Sequence, residues 1–237
     1  MFNLIFQGAE FSRIMLVFVS QSVMSVLFSM LGFKIIKRNR TRAHLSLFTF
    51  YIMLVIGFIF NIVFVLLAPT NNESLLTLFY ILTSFFIAFP FVFNLLFVII
   101  LLKLEFSKLK IAIIIVSYAA VCLSLYFIPD GIRFSSTWVP TYSFPFFILL
   151  YVYFTVFLTI PTLFYSLRLY RRFEAENLKK RLRLYLIGFI ILIGAIYGGI
   201  YFIATNNLLF KSIYGVFALV AQITAALLIY YGLGRNL

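Results

Sequence analysis

Charged residues, histidine and cysteine are all scarce in this chain of 237 residues. Only 11% of the residues are charged, whereas about a quarter are charged in a typical soluble domain. Cys122 and His44 are the sole residues of their types, so an intrachain disulfide is excluded. A metal site needs a cluster of such ligands, and we therefore expect neither a metal nor another bound cofactor.

Apolar residues take the place of the missing charges. They make up 65% of the chain, phenylalanine alone accounts for 32 residues, and the mean hydropathy is +1.14. Soluble domains are usually about half apolar, so the surplus indicates that lipid is the main solvent. The alternation with a period of two that marks membrane β-strands is absent, which favours helices.

Charged residues divide the chain into seven apolar runs. A helix needs about 20 mainly apolar residues to cross the roughly 30 Å hydrocarbon layer, and each run approaches or exceeds that length. The first run lacks the basic start and the cleavage site of a signal peptide, so we expect it to remain as a span. The sequence predicts an all-α integral membrane protein with one domain over residues 1–237. The predicted spans are approximately 14–36, 45–68, 75–102, 111–128, 144–167, 184–205 and 212–233.

Lysine and arginine are distributed unevenly between alternate loops. One set of loops carries 16 of the 19, and the other carries only Arg13, Arg133 and Lys211. Because basic loops stay in the cytoplasm, the pattern predicts an outside N-terminus, a cytoplasmic C-terminus and a multi-pass protein of the cell membrane. Basic blocks between spans favour contact with anionic lipid headgroups over nucleic acid. The predicted basic face comprises Lys37, Arg38, Arg40, Arg171, Arg172, Lys179, Lys180 and Arg181.

The middle of every predicted span lacks Asp, Glu, Lys and Arg. Pumps, proton-coupled transporters and voltage sensors usually need such charges within the membrane. A retinal protein needs a lysine near the middle of its seventh helix, and Lys211 stands at the start of that span instead. Histidine is missing from the span interiors, so a serine nucleophile would lack its usual base. We therefore expect a protein that is not an enzyme.

Four amide side chains are the main polar groups within the spans. They are Gln21 in span 1, Asn61 in span 2, Asn94 in span 3 and Gln222 in span 7. An amide in hydrocarbon is costly without a partner, so these side chains should face the bundle interior. Two interpretations remain open: polar contacts between helices, or the lining of a polar ligand cavity.

Prolines and glycines predict two further features of the spans. Pro90 and Pro161 lie inside spans 3 and 5, where a missing backbone donor usually kinks a helix. Gly194 and Gly198 form a small-xxx-small pattern in span 6, which predicts close packing against span 7 or a homodimer contact.

The loops offer three candidate features. Trp138 and Tyr142, in the loop between spans 4 and 5, are either anchors at the membrane interface or part of a semi-rigid lid over an external pocket. Asn72-Glu73-Ser74 matches a glycosylation acceptor on the predicted outer side. Glu176 and Lys180 are spaced for a helical ion pair at the inner connection between spans 5 and 6, which are expected to meet in a short helical turn.

The second half of the chain contains an outer loop with Gly131 and Trp138, Pro145 before an aromatic span 5, and the basic turn RRFEAENLKKRLR. A glycine-rich span 6 and the ending LLIYYGLGR follow. This layout resembles the seven-helix sensory module that precedes many microbial histidine kinases. The resemblance implies a sensory role. Only Asn236 and Leu237 follow Arg235, where the family normally carries an output domain, so output through a separate partner is expected.

Two other seven-span classes fit the sequence less well. G-protein-coupled receptors carry Asp/Glu-Arg-Tyr after helix 3, where this chain has LLKLEF, and an Asn-Pro-x-x-Tyr pattern that span 7 lacks. Sugar transporters built as a three-plus-one-plus-three repeat would place prolines in equivalent spans, which Pro90 and Pro161 do not occupy. We therefore expect a receptor-like or sensory protein with an apolar small-molecule or lipid ligand. The alternatives are an accessory subunit of a membrane complex and, third, a small-molecule or lipid transporter.

Overall fold

The computed structural model describes residues 15–38, 40–102, 107–136 and 138–234. The described residues are 85% helical and include seven helices that are long and apolar enough to cross a membrane, which confirms the predicted count. These helices are α1 Leu16–Arg38, α2 Arg42–Thr70, α3 Glu73–Leu101, α4 Lys108–Leu125, α5 Phe144–Arg172, α6 Glu176–Ala204 and α7 Leu208–Gly232.

Several helices begin a few residues before the predicted spans because a polar side chain caps the N-terminus. Asn72 Oδ1 accepts the backbone N–H of Leu75 at 3.1 Å, and Asn207 Oδ1 accepts that of Phe210 at 3.1 Å. Thr41 and Ser107 cap α2 and α4 in the same way. Such caps satisfy backbone donors that the first turn leaves free. Asn72, the candidate glycosylation residue, is thus the N-cap of α3.

Helix α3 is broken at Pro90, as the sequence predicted. Its two parts are Glu73–Ala88 and Phe91–Leu101. Gly57 of α2 packs against the turn before the break, where an added Cβ would lie 2.9 Å from the backbone carbon of Phe86. The absence of a side chain at Gly57 therefore lets α2 approach the backbone of α3 closely.

Helix α5 contains a π-helical turn, Phe154–Thr159, between the α-helical parts Phe144–Tyr153 and Ile160–Arg172. Pro161 lies two residues after this turn and has no N–H for the carbonyl of Phe157. The hydroxyl of Tyr118 in α4 donates to that carbonyl instead. The wider turn and the hydroxyl donor of Tyr118 together accommodate the proline within the span.

Helices α6 and α7 approach closely through glycines, but only one of the two predicted positions takes part. A Cβ at Gly198 would lie 2.5 Å from Cε2 of Tyr214, whereas one at Gly194 would meet nothing within 4 Å. The prediction that Gly194 packs against α7 is wrong because that residue faces away from α7, and the homodimer contact stays a prediction. Gly188 makes the closer helix contact, since its Cβ would lie 2.9 Å from the carbonyl oxygen of Ala225.

A β-hairpin closes one end of the bundle, in a chain that the sequence predicted to be wholly helical. Strand β1, Ile132–Phe134, pairs antiparallel with β2, Pro140–Tyr142, and Ile132 lies opposite Tyr142. The N–H of Ser135 donates to the carbonyl of Val139 at 3.0 Å and closes the connection. We call this end of the bundle the hairpin end.

The opposite end is called the basic end, because it carries the predicted basic face. Arg40 lies just before α2, and the other residues of that face lie in the last turns of α1 and α5 and the first turns of α6. Here Nη1 of Arg172 donates to the carbonyl of Leu102 at 2.5 Å, which joins α5 to the end of α3. The predicted ion pair between Glu176 and Lys180 is wrong. Glu176 pairs with Lys179 at 3.2 Å, since a spacing of three also brings side chains together on a helix.

Candidate ligand cavity

A cavity of about 220 Å³ lies inside the bundle, below the hairpin. Its walls come from α1, α2, α3, α5, α6 and α7, and most of them are aliphatic and aromatic side chains. Phe58 and Ala88 belong to the walls near α2 and α3, and Leu150 and Phe154 belong to the wall of α5. An apolar cavity with a few convergent polar groups is the usual form of a small-molecule site.

Five of the polar side chains that line this cavity come from four helices, and we call these five the polar belt. The polar belt consists of Ser20, Gln21, Asn61, Thr83 and Gln222. Nδ2 of Asn61 donates to Oε1 of Gln21 at 3.0 Å, which links α2 to α1. Gln21 and Asn61 therefore fit both interpretations, because they form a polar contact between helices and also line the cavity.

Three oxygens of the polar belt have no hydrogen-bond partner in the described part of the chain. They are Oγ of Ser20, Oγ1 of Thr83 and Oε1 of Gln222. Ser20 is only 1% exposed and Thr83 only 4%. An unsatisfied buried polar group costs about 1–3 kcal/mol, and most such groups in native proteins have a partner. A molecule in the cavity that offered hydrogen-bonding groups would remove this cost.

Asn94, the fourth predicted amide, does not line the cavity. It is fully buried between α3 and α6, where its Oδ1 accepts the hydroxyl of Tyr185 at 3.0 Å. Eleven residues separate it from Thr83, which corresponds to about 16 Å along a helix. Of the four amides, the structure thus brings Gln21, Asn61 and Gln222 together and assigns Asn94 to a polar contact between helices.

The hairpin forms the roof of the cavity. Val139, Pro140 and Tyr142 line it, and the hydroxyl of Tyr80 in α3 donates to that of Tyr142 at 2.8 Å. Burial raises the pKa of Tyr142 to about 12, with the hydrogen bond from Tyr80 acting in the opposite direction, so the hydroxyl stays neutral. These contacts favour the lid interpretation for Tyr142.

Trp138 fastens the same hairpin to the turn between α2 and α3. Its Nε1 donates to Oδ1 of Asn71 at 3.0 Å, and its ring lies 5.5 Å from that of Phe134. The backbone of Trp138 has φ of 58°, an unusual value for a bulky residue. The tertiary contacts therefore hold the loop in a strained conformation. Trp138 stabilises the hairpin from outside the cavity.

Lys211, in the first turn of α7, is the one charged side chain among the described residues that line the cavity. Its Nζ lies 5.6 Å from the centre of the Phe202 ring in α6. The sequence assigned Lys211 only to the side with few charges. The sequence indicates that Lys211 lies at the start of a helix. It does not indicate the direction of the side chain, which depends on how α6 and α7 pack.

The π-helical turn of α5 lies at the cavity wall. Phe154, its first residue, lines the cavity, and the hydroxyls of Thr155 and Tyr197 lie 2.7 Å apart. The hydroxyl of Tyr151 donates to the carbonyl of Tyr197 at 2.8 Å, so α5 and α6 are joined by polar contacts on both sides of the turn's start. π-helical turns inside α-helices often occur at functional sites.

These features define the class: a multi-pass membrane protein, built on seven apolar helices, with a hairpin-roofed cavity inside the bundle. Comparisons with protein-family models, curated proteins and solved structures returned no match to the chain.

Proposed function

We propose that the protein is a receptor-like sensor that binds a small, mainly apolar molecule in the cavity below the hairpin. The observation that carries this proposal is the set of unpartnered oxygens on Ser20, Thr83 and Gln222, three residues that line one apolar cavity from three different helices. Packing alone would leave these oxygens unsatisfied, whereas a ligand with a hydroxyl or carbonyl group would pair with them.

The size of the cavity limits the ligand. An engineered apolar cavity of about 150 Å³ holds benzene, which has six non-hydrogen atoms. Scaled to about 220 Å³, the same ratio gives a ligand on the order of ten non-hydrogen atoms. We therefore propose a small lipid-like or volatile molecule as the ligand, in preference to a peptide or a nucleotide.

The proposed orientation places the hairpin end outside the cell and the basic end in the cytoplasm. The unequal distribution of Lys and Arg supports it. Single cysteines at Ser136 and Ala175, both exposed, would test it in a Cys122→Ala background. A membrane-impermeant maleimide should label intact cells through position 136 and not through position 175. The opposite labelling would reject the orientation.

A signal could pass from the cavity to the basic end through α5. This helix contributes Leu150 and Phe154 to the wall, then changes geometry in its π-helical turn, and ends at Arg172 beside the carbonyl of Leu102. A ligand that shifted the turn would move Arg172 and the basic turn after it. The resemblance to sensory modules supports this interpretation, with output through a cytoplasmic protein partner.

Native mass spectrometry of the purified protein tests the ligand site, and two buried serines provide a matched comparison. Ser20 and Ser166 are both almost fully buried with an unpartnered Oγ, but only Ser20 lines the cavity. A small molecule retained by the wild type should be reduced in Ser20→Ala and unchanged in Ser166→Ala. Equal retention by both variants, or no retention by the wild type even after incubation with candidate ligands, would reject the proposal.

A further inference from the structure

We infer that the ligand is an amphipathic anion, with one negatively charged head beside Lys211 and an apolar body that extends toward the polar belt. This inference rests on the proposed function, since it identifies the chemical class of the ligand for the same cavity. The carboxylate of a medium-chain fatty acid and the headgroup of an anionic membrane lipid share this chemistry.

The direction of the Lys211 side chain is the first argument. A lysine near a helix end usually extends its ammonium group to the membrane interface. Lys211 instead lines the cavity, is half-buried, and holds its Nζ over the ring of Phe202. Its charge is therefore available to a group inside the cavity mouth.

The electrostatic surroundings are the second argument. No carboxylate is present among the described residues of the lining, so Lys211 has no acidic partner there. Lys211 also lies in the first turn of α7, where the helix dipole is positive and an anion is stabilised. An ammonium group with apolar walls around it attracts an anion more strongly than it would in water.

The shape of the cavity is the third argument. Lys211 and Gln222 both line it, and their spacing of eleven positions corresponds to about 16 Å along α7. A molecule that reaches both residues must therefore be elongated, which suits a single alkyl chain. The unpartnered oxygens of Ser20 and Thr83 lie on the same lining and suit a polar substituent along that chain.

Equilibrium binding of radiolabelled octanoate and 1-octanol, in nanodiscs of zwitterionic lipid, tests the inference. Octanoate has ten non-hydrogen atoms and the neutral alcohol has nearly the same shape. We expect Lys211→Gln to weaken octanoate at least tenfold while 1-octanol changes less than twofold, and Lys211→Arg to retain octanoate. The fluorescence emission of Trp138 gives a second readout of ligand binding. Trp138 is the sole tryptophan of the chain and is next to Val139, which lines the cavity.

Arg133→Gln is the matched control for charge at the hairpin end. Arg133 is exposed, its Nη2 lies 3.9 Å from Oδ1 of Asp130, and it does not line the cavity. Loss of its charge should therefore leave the octanoate affinity within twofold of the wild-type value. Equal losses in Arg133→Gln and Lys211→Gln would reject a specific anion site. Equal affinity of the wild type for octanoate and 1-octanol would reject the anion and leave the cavity as a ligand site. Failure of both ligands to bind would reject the proposed function as well.

Nanodiscs with and without anionic phosphatidylglycerol distinguish the two sources of the anion. If the headgroup of the lipid enters the cavity beside Lys211, the lipid should reduce octanoate binding to the wild type more than to Lys211→Gln. If the natural ligand is a free acid, the lipid should reduce binding equally in both. This comparison assigns the source of the anion, and the comparison of octanoate with 1-octanol decides whether an anion binds.

Discussion

The side-chain amide of Asn61 in α2 donates to Oε1 of Gln21 in α1 at 3.0 Å, and both residues line the cavity. This hydrogen bond joins two helices at the level where the polar belt is formed. It also fixes which atoms of the two amides remain free to face a ligand. The stability of the bundle and the chemistry of the cavity therefore depend on the same pair.

Removal of one amide should leave the other without its partner. We expect Asn61→Leu to destabilise the protein by about 1 kcal/mol, a typical size for a hydrogen bond between membrane helices. The double variant Gln21→Leu/Asn61→Leu should cost less than the sum of the two single variants. Reversible unfolding in mixed micelles measures these differences. Additive effects would show that the bond contributes nothing to stability.

Two glycines of α6 offer a matched test of its packing against α7. Alanine at Gly188 would place its Cβ 2.9 Å from the carbonyl of Ala225, whereas alanine at Gly194 would meet open space. We expect Gly188→Ala to lower the melting temperature because the helices must separate. Gly194→Ala should be neutral or stabilising by up to about 1 kcal/mol, from helix propensity. The reverse order would contradict the observed helix rotation.

The bond between Trp138 and Asn71 should control how readily the roof opens. Trp138→Phe keeps an aromatic ring but loses the indole donor, and Asn71→Gly keeps the left-handed backbone of φ 51° but loses the acceptor. Each should increase the ligand dissociation rate several-fold, and the double variant should add little. Radiolabelled ligand release measures the rate. Unchanged release in both variants would show that the hairpin does not gate the cavity.

Pro161 and Tyr118 should act on α5 as a coupled pair. Tyr118→Phe removes the donor to the carbonyl of Phe157 and should destabilise the protein by about 1 kcal/mol. In a Pro161→Ala background, the restored N–H can serve that carbonyl, so Tyr118→Phe should cost much less. A cysteine-linked fluorophore at position 175 should respond to ligand in the wild type and less in Pro161→Ala. Additive stability losses would contradict the proposed replacement.

The sequence predicted the seven helices because charged and polar residues interrupt its apolar runs at regular intervals. It also predicted the broken helix at Pro90, since proline acts through its own backbone. Gln21, Asn61 and Gln222 were identified because an amide in hydrocarbon needs a polar neighbour. These features depend on residue type and position along the chain, which a sequence contains.

Other features depend on how each helix is rotated about its axis. Lipid and the bundle interior are both apolar, so hydrophobic periodicity does not reveal which face of a membrane helix is buried. For this reason the sequence predicts close packing at Gly194 and does not identify Gly188, and it does not separate Asn94 from the three amides that line the cavity. Ser20, Thr83 and Lys211 were missed as cavity residues for the same reason. The hairpin was missed because two strands of three residues are too short to show a pattern.

Photo-crosslinking with an octanol that carries a diazirine near its end tests the central claim most directly. The probe is neutral, so the result does not depend on Lys211. Peptide mapping should place the label on cavity-lining residues such as Thr83, Phe154 and Gln222, and excess unlabelled octanol should prevent it. Labels confined to the outer surface of α7, at the exposed residues Val216, Phe217 and Val220, would contradict a ligand site inside the bundle.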